Sequence, residues 1–198
     1  YLACQPENDF PNRQAALFSL LNMLADSVQL NWTHVSTELV PLALGKSILA
    51  EQVETFEQAH NPLNPFQFNS GDPRRLRGLA LGVILGSGNG HLIDADGIME
   101  ELASSGQEAD LESAVIAAGY ADHASDLIIG RLSIALMSGS ADVIRESVKS
   151  LYRLSSKLTS AQASFVVVAL TSLAASPDFR KRQRAAQLAG GAGQWHLK

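Results

Sequence analysis

Residues 139–158 read GSADVIRESVKSLYRLSSKL, and this stretch decides the fold class. Ser140 follows a glycine and precedes a run without proline, which is typical of a residue that caps the first turn of a helix. Apolar side chains then recur at spacings of three and four residues, which places them on one helix face. They are Ile144, Val148, Leu151, Leu154 and Leu158. The stretch therefore predicts an amphipathic helix with one buried face.

The same punctuation recurs along the chain, whereas the alternation typical of strands hardly appears. Asp, Ser or Thr precedes most apolar-periodic segments, and Gly or Pro follows them. These signals predict about nine helices, at approximately residues 10–28, 36–60, 73–85, 95–105, 108–118, 123–138, 141–158, 160–175 and 177–190. The second of them begins near either residue 36 or residue 41. The predicted fold class is all-α, either a helical bundle or a short stack of helical hairpins with a solenoid-like C-terminal part.

A segment rich in proline and asparagine separates two groups of predicted helices. Residues 61–72 contain two prolines, three asparagines and one glycine, a composition typical of a loop. We therefore expect an N-terminal helical subdomain at residues 1–60, a linker at 61–72, and a C-terminal helical domain at 73–198 with a basic last third.

Charge is unevenly distributed along the chain. From Tyr1 to Asp142 there are 18 acidic and 6 basic residues, and from Val143 to Lys198 there are 2 acidic and 9 basic residues. The two net charges, −12 and +7, sum to the overall −5. Such polarisation bears on partners and association rather than on the fold.

Cations recur every four residues along the predicted helix at 141–158, and a second basic cluster lies in the last predicted helix. Like charges at this spacing destabilise an isolated helix by about 0.2–0.5 kcal/mol per pair, so we expect a compensating anion. The intervening helix carries no charge and is therefore expected to be central, with the two basic helices packed on it. The predicted partner-binding residues are Arg145, Lys149, Arg153, Lys157, Arg180, Lys181 and Arg184.

The compensating anion has three sources: the acidic part of the same protein, an acidic partner protein, or a polyanion. We expect a non-enzymatic helical interaction module, of the adaptor, chaperone-like, secretion or regulatory kind, that docks an acidic protein partner. There are two alternatives: homo-oligomerisation, in which the acidic region of one copy contacts the basic region of another, and nucleic-acid binding. The acidic N-terminal two thirds and the lack of a recognisable motif count against nucleic acid. A solvated helix face would also explain the basic pattern.

Two groups of histidine and aspartate are weak candidate metal ligands and support a metal-dependent hydrolase as the rival hypothesis. The candidates are His91, Asp94 and Asp96 in one group and Asp122, His123 and Asp126 in the other. Helix capping explains the aspartates as well. No residue is nominated as catalytic, and no cofactor is predicted.

The single cysteine, Cys4, cannot form an intramolecular disulfide, which suits a reducing compartment and a cytoplasmic location. The segment at residues 1–4 also resembles the end of a bacterial lipoprotein signal, so a secreted or lipid-anchored protein is the alternative. The uncharged residues 158–177 contain seven Ser, Thr and Gln residues. This composition favours a helix buried in a bundle over a membrane span.

Overall fold

A computed structural model describes residues 10–46, 73–121, 125–138 and 140–191, together with Ala3, Ile48, Val53 and His123. Cys4, Asp122 and the predicted linker at 61–72 lie outside the described residues. Within the described ranges nine α-helices have defined ends and no strand occurs, so the predicted all-α class is confirmed. The helices are α1 Phe10–Ala25, α2 Trp32–Ala43, α3 Arg75–Gly86, α4 Ala95–Ser104, α5 Glu108–Ala118, α6 Asp126–Ser138, α7 Ala141–Leu154, α8 Ser160–Ala174 and α9 Phe179–Gly191.

From α3 onward the helices pack as a stack of hairpins. The pairs α4/α5, α6/α7 and α8/α9 each form a hairpin, and α3, α5, α7 and α9 form a row in which each helix packs on the next. Helices α6 and α8 pack together in a second row. Each hairpin contacts mainly its neighbours, as in solenoid proteins.

Helices α1 and α2 pack on α3 at the other end of the stack. They share one apolar core with it, which includes Leu17 and Leu21 of α1, Leu39 and Leu42 of α2, and Leu79, Val83 and Ile84 of α3. Helices on both sides of the predicted linker therefore bury their apolar faces together. The division into a subdomain at 1–60 and a domain at 73–198 stays a prediction.

Side chains that precede the helices satisfy the free backbone N–H groups of the first turn, as the sequence predicts. Asp94 accepts a hydrogen bond from the Gly97 N–H, and Ser140 accepts one from the Val143 N–H. Thr159 forms a reciprocal capping box with Gln162 at the start of α8. These local signals set where α4, α7 and α8 begin.

Two predicted helix starts are wrong. Helix α2 begins at Trp32, where Asn31 accepts from the His34 N–H, and Pro41 lies within its last turn. The predicted start near residue 36 or 41 overlooked this asparagine cap. Helix α6 begins at Asp126 rather than at 123, because the Ser125 hydroxyl accepts from the Ile128 N–H at 3.2 Å.

Small residues bring the helices of the main row into close contact. A Cβ atom added to Gly78 of α3 would lie 2.4 Å from the carbonyl oxygen of Ser113 on α5. The Ser113 hydroxyl donates to the Arg74 carbonyl at 3.0 Å, and the Ser150 hydroxyl of α7 donates to the Val115 carbonyl of α5 at 2.7 Å. Hydrogen bonds and backbone contacts thus fix the spacing of α3, α5 and α7.

Candidate functional site

The first turns of α7 and α9 lie side by side and enclose a cleft of about 360 Å³. We call it the α7–α9 groove. It is lined by Asp142, Ile144, Arg145, Asp178, Arg180, Lys181, Gln183 and Arg184. Both helices direct their N-terminal ends here, and the partial positive charge of a helix N-terminus favours anions.

Four cations and two carboxylates line the groove, which leaves an excess of two positive charges. Both carboxylates already have partners. Asp142 pairs with Arg145, which also contacts Glu146 at 3.2 Å. Asp178 accepts a hydrogen bond at 2.8 Å from the backbone N–H of Arg180 in the first turn of α9. The groove therefore holds more positive charge than its own acids neutralise.

The three cations of α9 that line the groove have no carboxylate partner in the part of the chain that the structure describes. The Arg184 guanidinium donates to the Gln187 side-chain oxygen at 2.7 Å, and Lys181 Nζ lies 3.5 Å from the Met137 carbonyl oxygen. Arg180 contributes its backbone N–H to Asp178, as described above. Neutral oxygens do not cancel a full charge, so this side of the groove keeps a positive potential.

The remaining three predicted binding residues contact the protein itself: Lys149 and Arg153 lie further along α7, and Lys157 lies in the 3-10 turn Ser155–Lys157 that follows it. Lys149 Nζ lies 2.8 Å from the carboxylate of Glu146, and Lys157 Nζ donates to the Ala121 carbonyl at 2.9 Å. The Arg153 guanidinium lies 4.3 Å from the centre of the Tyr120 ring, within the range of a cation–π contact. The structure thus brings Arg145 together with the α9 cluster and separates Lys149, Arg153 and Lys157 from it.

The expectation that the charge-free helix is central is wrong. Helix α8 packs mainly on α6 and α9, whereas α7 and α9 contact each other directly. One apolar face, which includes Ala163, Val166 and Leu173, is enough to bury α8 on its neighbours. Lack of charge does not require a helix to be buried on every side. The two basic helices are therefore adjacent, and this adjacency creates the groove.

A network of acids and bases centred on the buried Glu146 adjoins the groove. Burial alone would raise the pKa of Glu146, but hydrogen bonds and charges from Lys149 and Arg145 together lower it. Burial alone would lower the pKa of Arg145, yet its hydrogen bond to Glu146 and the charge of Asp142 raise it. Both groups therefore stay ionised in the folded protein near neutral pH.

The sequence pattern missed the acids of this network. Asp142 lies three residues before Arg145, and Glu146 lies three residues before Lys149, a spacing that predicts ion pairs on one helix. The dipeptide Glu-Ser occurs at residues 112–113 in α5 and again 34 residues later, at 146–147 in α7. All four of these side chains are buried. This short internal repeat was the available signal for the buried acids.

The candidate metal ligands are brought only partly together. His91, Asp94, Asp96 and His123 line one cavity of about 340 Å³. Asp94 already caps α4, and Asp126 accepts a hydrogen bond from Gln162 at 2.8 Å. Among the residues that the structure describes, which exclude Asp122, no three His, Cys, Asp or Glu side chains are placed to hold a metal ion.

None of the helices in the described ranges combines the length and the apolar character needed to cross a bilayer. No protein-family model matches the chain, and neither the curated proteins nor the solved structures include a significant match.

Proposed function

We propose that this chain is a non-enzymatic helical interaction module, of the adaptor, chaperone-like, secretion or regulatory kind, that docks an acidic segment of a partner protein in the α7–α9 groove. Arg145, Arg180, Lys181 and Arg184 would contact the carboxylates of that segment. The observation that carries the proposal is the cluster of Arg180, Lys181 and Arg184, none of which pairs with a carboxylate of the described chain.

The chemistry of these side chains fits a carboxylate ligand. Arginine presents a planar set of donors that matches a carboxylate with two parallel hydrogen bonds. Two helix N-termini add partial positive charge at the same place. The cleft volume of about 360 Å³ lies at the lower end of the range of small-ligand pockets, so it suits a few side chains of a short segment.

An acidic protein fits better than a nucleic acid. A nucleic-acid surface tracks a phosphate backbone with many cations, whereas here two carboxylates, Asp142 and Asp178, interrupt four cations. The chain from Tyr1 to Asp142 carries a net charge of −12, which would repel an extended polyanion. A short acidic segment extends over less of the chain and so meets less of this repulsion.

The proposal is tested with a fluorescently labelled oligoglutamate peptide, whose binding is followed by anisotropy over a salt series. The double variant Arg180→Gln/Arg184→Gln should bind about tenfold more weakly at low salt, because two charge-assisted contacts are lost. The control Lys149→Gln/Arg153→Gln removes the same charge outside the groove. It should change the affinity by less than about threefold.

Three outcomes would overturn the proposal. In the first, the wild-type protein does not bind the peptide at low salt. In the second, the two double variants lose the same amount of affinity for the peptide. In the third outcome, a single-stranded DNA oligonucleotide of matched charge binds more tightly than the peptide, which would favour the nucleic-acid alternative.

The metal-dependent hydrolase has less support as a second function. His91 and His123 line one cavity with Asp94 and Asp96, but no three metal-binding side chains converge within the described part of the chain. A catalytic zinc site needs three protein ligands with one open position.

A further inference from the structure

Helix α8 exposes a continuous stripe of uncharged residues on the side that faces away from its neighbours. Phe165 and Val168 are 62 % and 65 % exposed, although both side chains are large and apolar. The small residues Ala161, Ser172 and Ala175 are exposed on the same side. The five positions follow one another at spacings of four, three, four and three residues. This is the spacing of a seam that packs against another helix.

The stripe lies on the last hairpin of the described stack. A helix face that packs on no neighbour is normally polar. Helix α8 instead presents a phenylalanine and a valine with no charged residue between Lys157 and Asp178. An apolar seam of this kind marks a surface that another helix covers.

The absence of charge makes the stripe compatible with a second copy of the chain as its occupant. In a two-fold dimer each surface patch meets itself, so a charged patch would meet like charge. The protein carries a net charge of −5 and has strongly polarised regions, whereas the exposed stripe of α8 carries no charge at all. It can therefore face its own copy without electrostatic repulsion.

The sizes of the side chains are self-complementary as well. Val168 lies at the middle of the stripe, with Ala161 and Ala175 seven residues to either side. Phe165 lies three residues before Val168, and Ser172 lies four residues after it. In an antiparallel pair with its two-fold axis at Val168, the large Phe165 ring of each copy faces the small Ser172 of the other.

We infer that two copies of this protein associate through α8, antiparallel about Val168, so that the exposed stripe of each copy covers that of the other. This interface is separate from the α7–α9 groove, because the groove is lined by residues of α7, of the first two turns of α9, and by Asp178 just before α9.

Analytical ultracentrifugation over a concentration series tests the dimer. Val168→Glu places two like charges at the axis and should weaken association by at least about tenfold. Because Val168 is exposed in the single chain, the circular dichroism spectrum of the Val168→Glu variant should match that of the wild-type protein. The control Ala174→Glu adds the same charge to the same helix at an exposed position off the stripe, and should leave the dimer intact.

Cysteine cross-linking tests the antiparallel geometry in a Cys4→Ser background. Val168→Cys should form a disulfide-linked dimer, because only residues near the two-fold axis meet their own copy. Ala161→Cys and Ala175→Cys should cross-link when the two variants are mixed, but neither should cross-link with itself.

A salt series distinguishes this interface from one in which the acidic region of one copy contacts the basic region of another. An apolar interface persists or strengthens at high salt, whereas a charge-driven one dissociates. The inference is overturned by a monomer at every concentration, which would leave the stripe to a different protein. Equal effects of Val168→Glu and Ala174→Glu, or dissociation by salt alone, would also overturn it.

Discussion

The guanidinium group of Arg75 on α3 lies 3.2 Å from the carboxylate of Glu112 on α5, and both side chains are almost completely buried. Removing two opposite charges from water is costly, and their mutual attraction does not always offset the cost. Here burial is the larger effect. It raises the pKa of Glu112 from 4.5 to about 7, although the charge of Arg75 opposes the rise. The stability of the stack should therefore depend on pH.

The first prediction concerns that pH dependence. Because the folded protein holds a proton on Glu112 that the unfolded chain releases, its free energy of unfolding should fall as pH rises from 4.5 to 7. The shift corresponds to roughly 3 kcal/mol across this window. Glu112→Gln cannot titrate and should lack this decline. Urea denaturation of both proteins across the window measures the difference. An equal decline in the variant would contradict the assignment to Glu112.

The second prediction concerns Glu146, whose pKa is shifted in the opposite direction. Its ionised form is stabilised by Lys149 and Arg145, so this contribution is present above the unfolded pKa and is lost as pH falls. Lys149→Gln should reduce stability at neutral pH by less than about 1 kcal/mol, since Lys149 is half exposed. The difference from wild type should vanish in acid. A difference that does not change with pH would show that the ion pair is not its source.

The third prediction compares two glycines within helices. Gly78→Ala would place a Cβ 2.4 Å from the Ser113 carbonyl oxygen, so α3 and α5 must separate, at a cost of about 3 kcal/mol. Gly130 of α6 has no atom within 4 Å of the added Cβ. Gly130→Ala should therefore stabilise the protein by about 0.5–1 kcal/mol, because alanine is the better helix former. Urea denaturation should give shifts of opposite sign, and a loss of stability in both variants would contradict the packing argument.

The fourth prediction compares two buried serines of α7. The Ser150 hydroxyl reaches across to the Val115 carbonyl of α5, whereas the Ser147 hydroxyl bonds to Val143 of its own helix. Ser150→Ala should lower the free energy of unfolding by about 1 kcal/mol, because it removes an interhelical bond. Ser147→Ala should change it by less than about 0.5 kcal/mol, since alanine is the better helix former. Equal losses would show that the α5–α7 bond has no special role.

Much of the secondary structure could be predicted because its causes are local. The caps at Asp94, Ser140 and Thr159 act on N–H groups within three residues, and apolar periodicity is visible within a few turns. The same local signals misplaced α2, where the Asn31 cap was overlooked, and α6, where Ser125 is the cap. Of the candidate site, the sequence pattern identified the cations but not the carboxylates of Asp142 and Glu146, which pair with Arg145 and Lys149.

By itself, the sequence determined the all-α class, the amphipathic α7 and the polarised charge, because each depends on residue type and short spacing. Only the tertiary structure decided that Arg153 meets Tyr120, that Lys157 meets Ala121, and that Arg145 faces the α9 cluster. It also placed the charge-free α8 at the end of the stack with one face uncovered. The physical reason is that the neighbours of a helix depend on how whole hairpins stack, and contacts between residues more than thirty positions apart leave no local pattern in the chain.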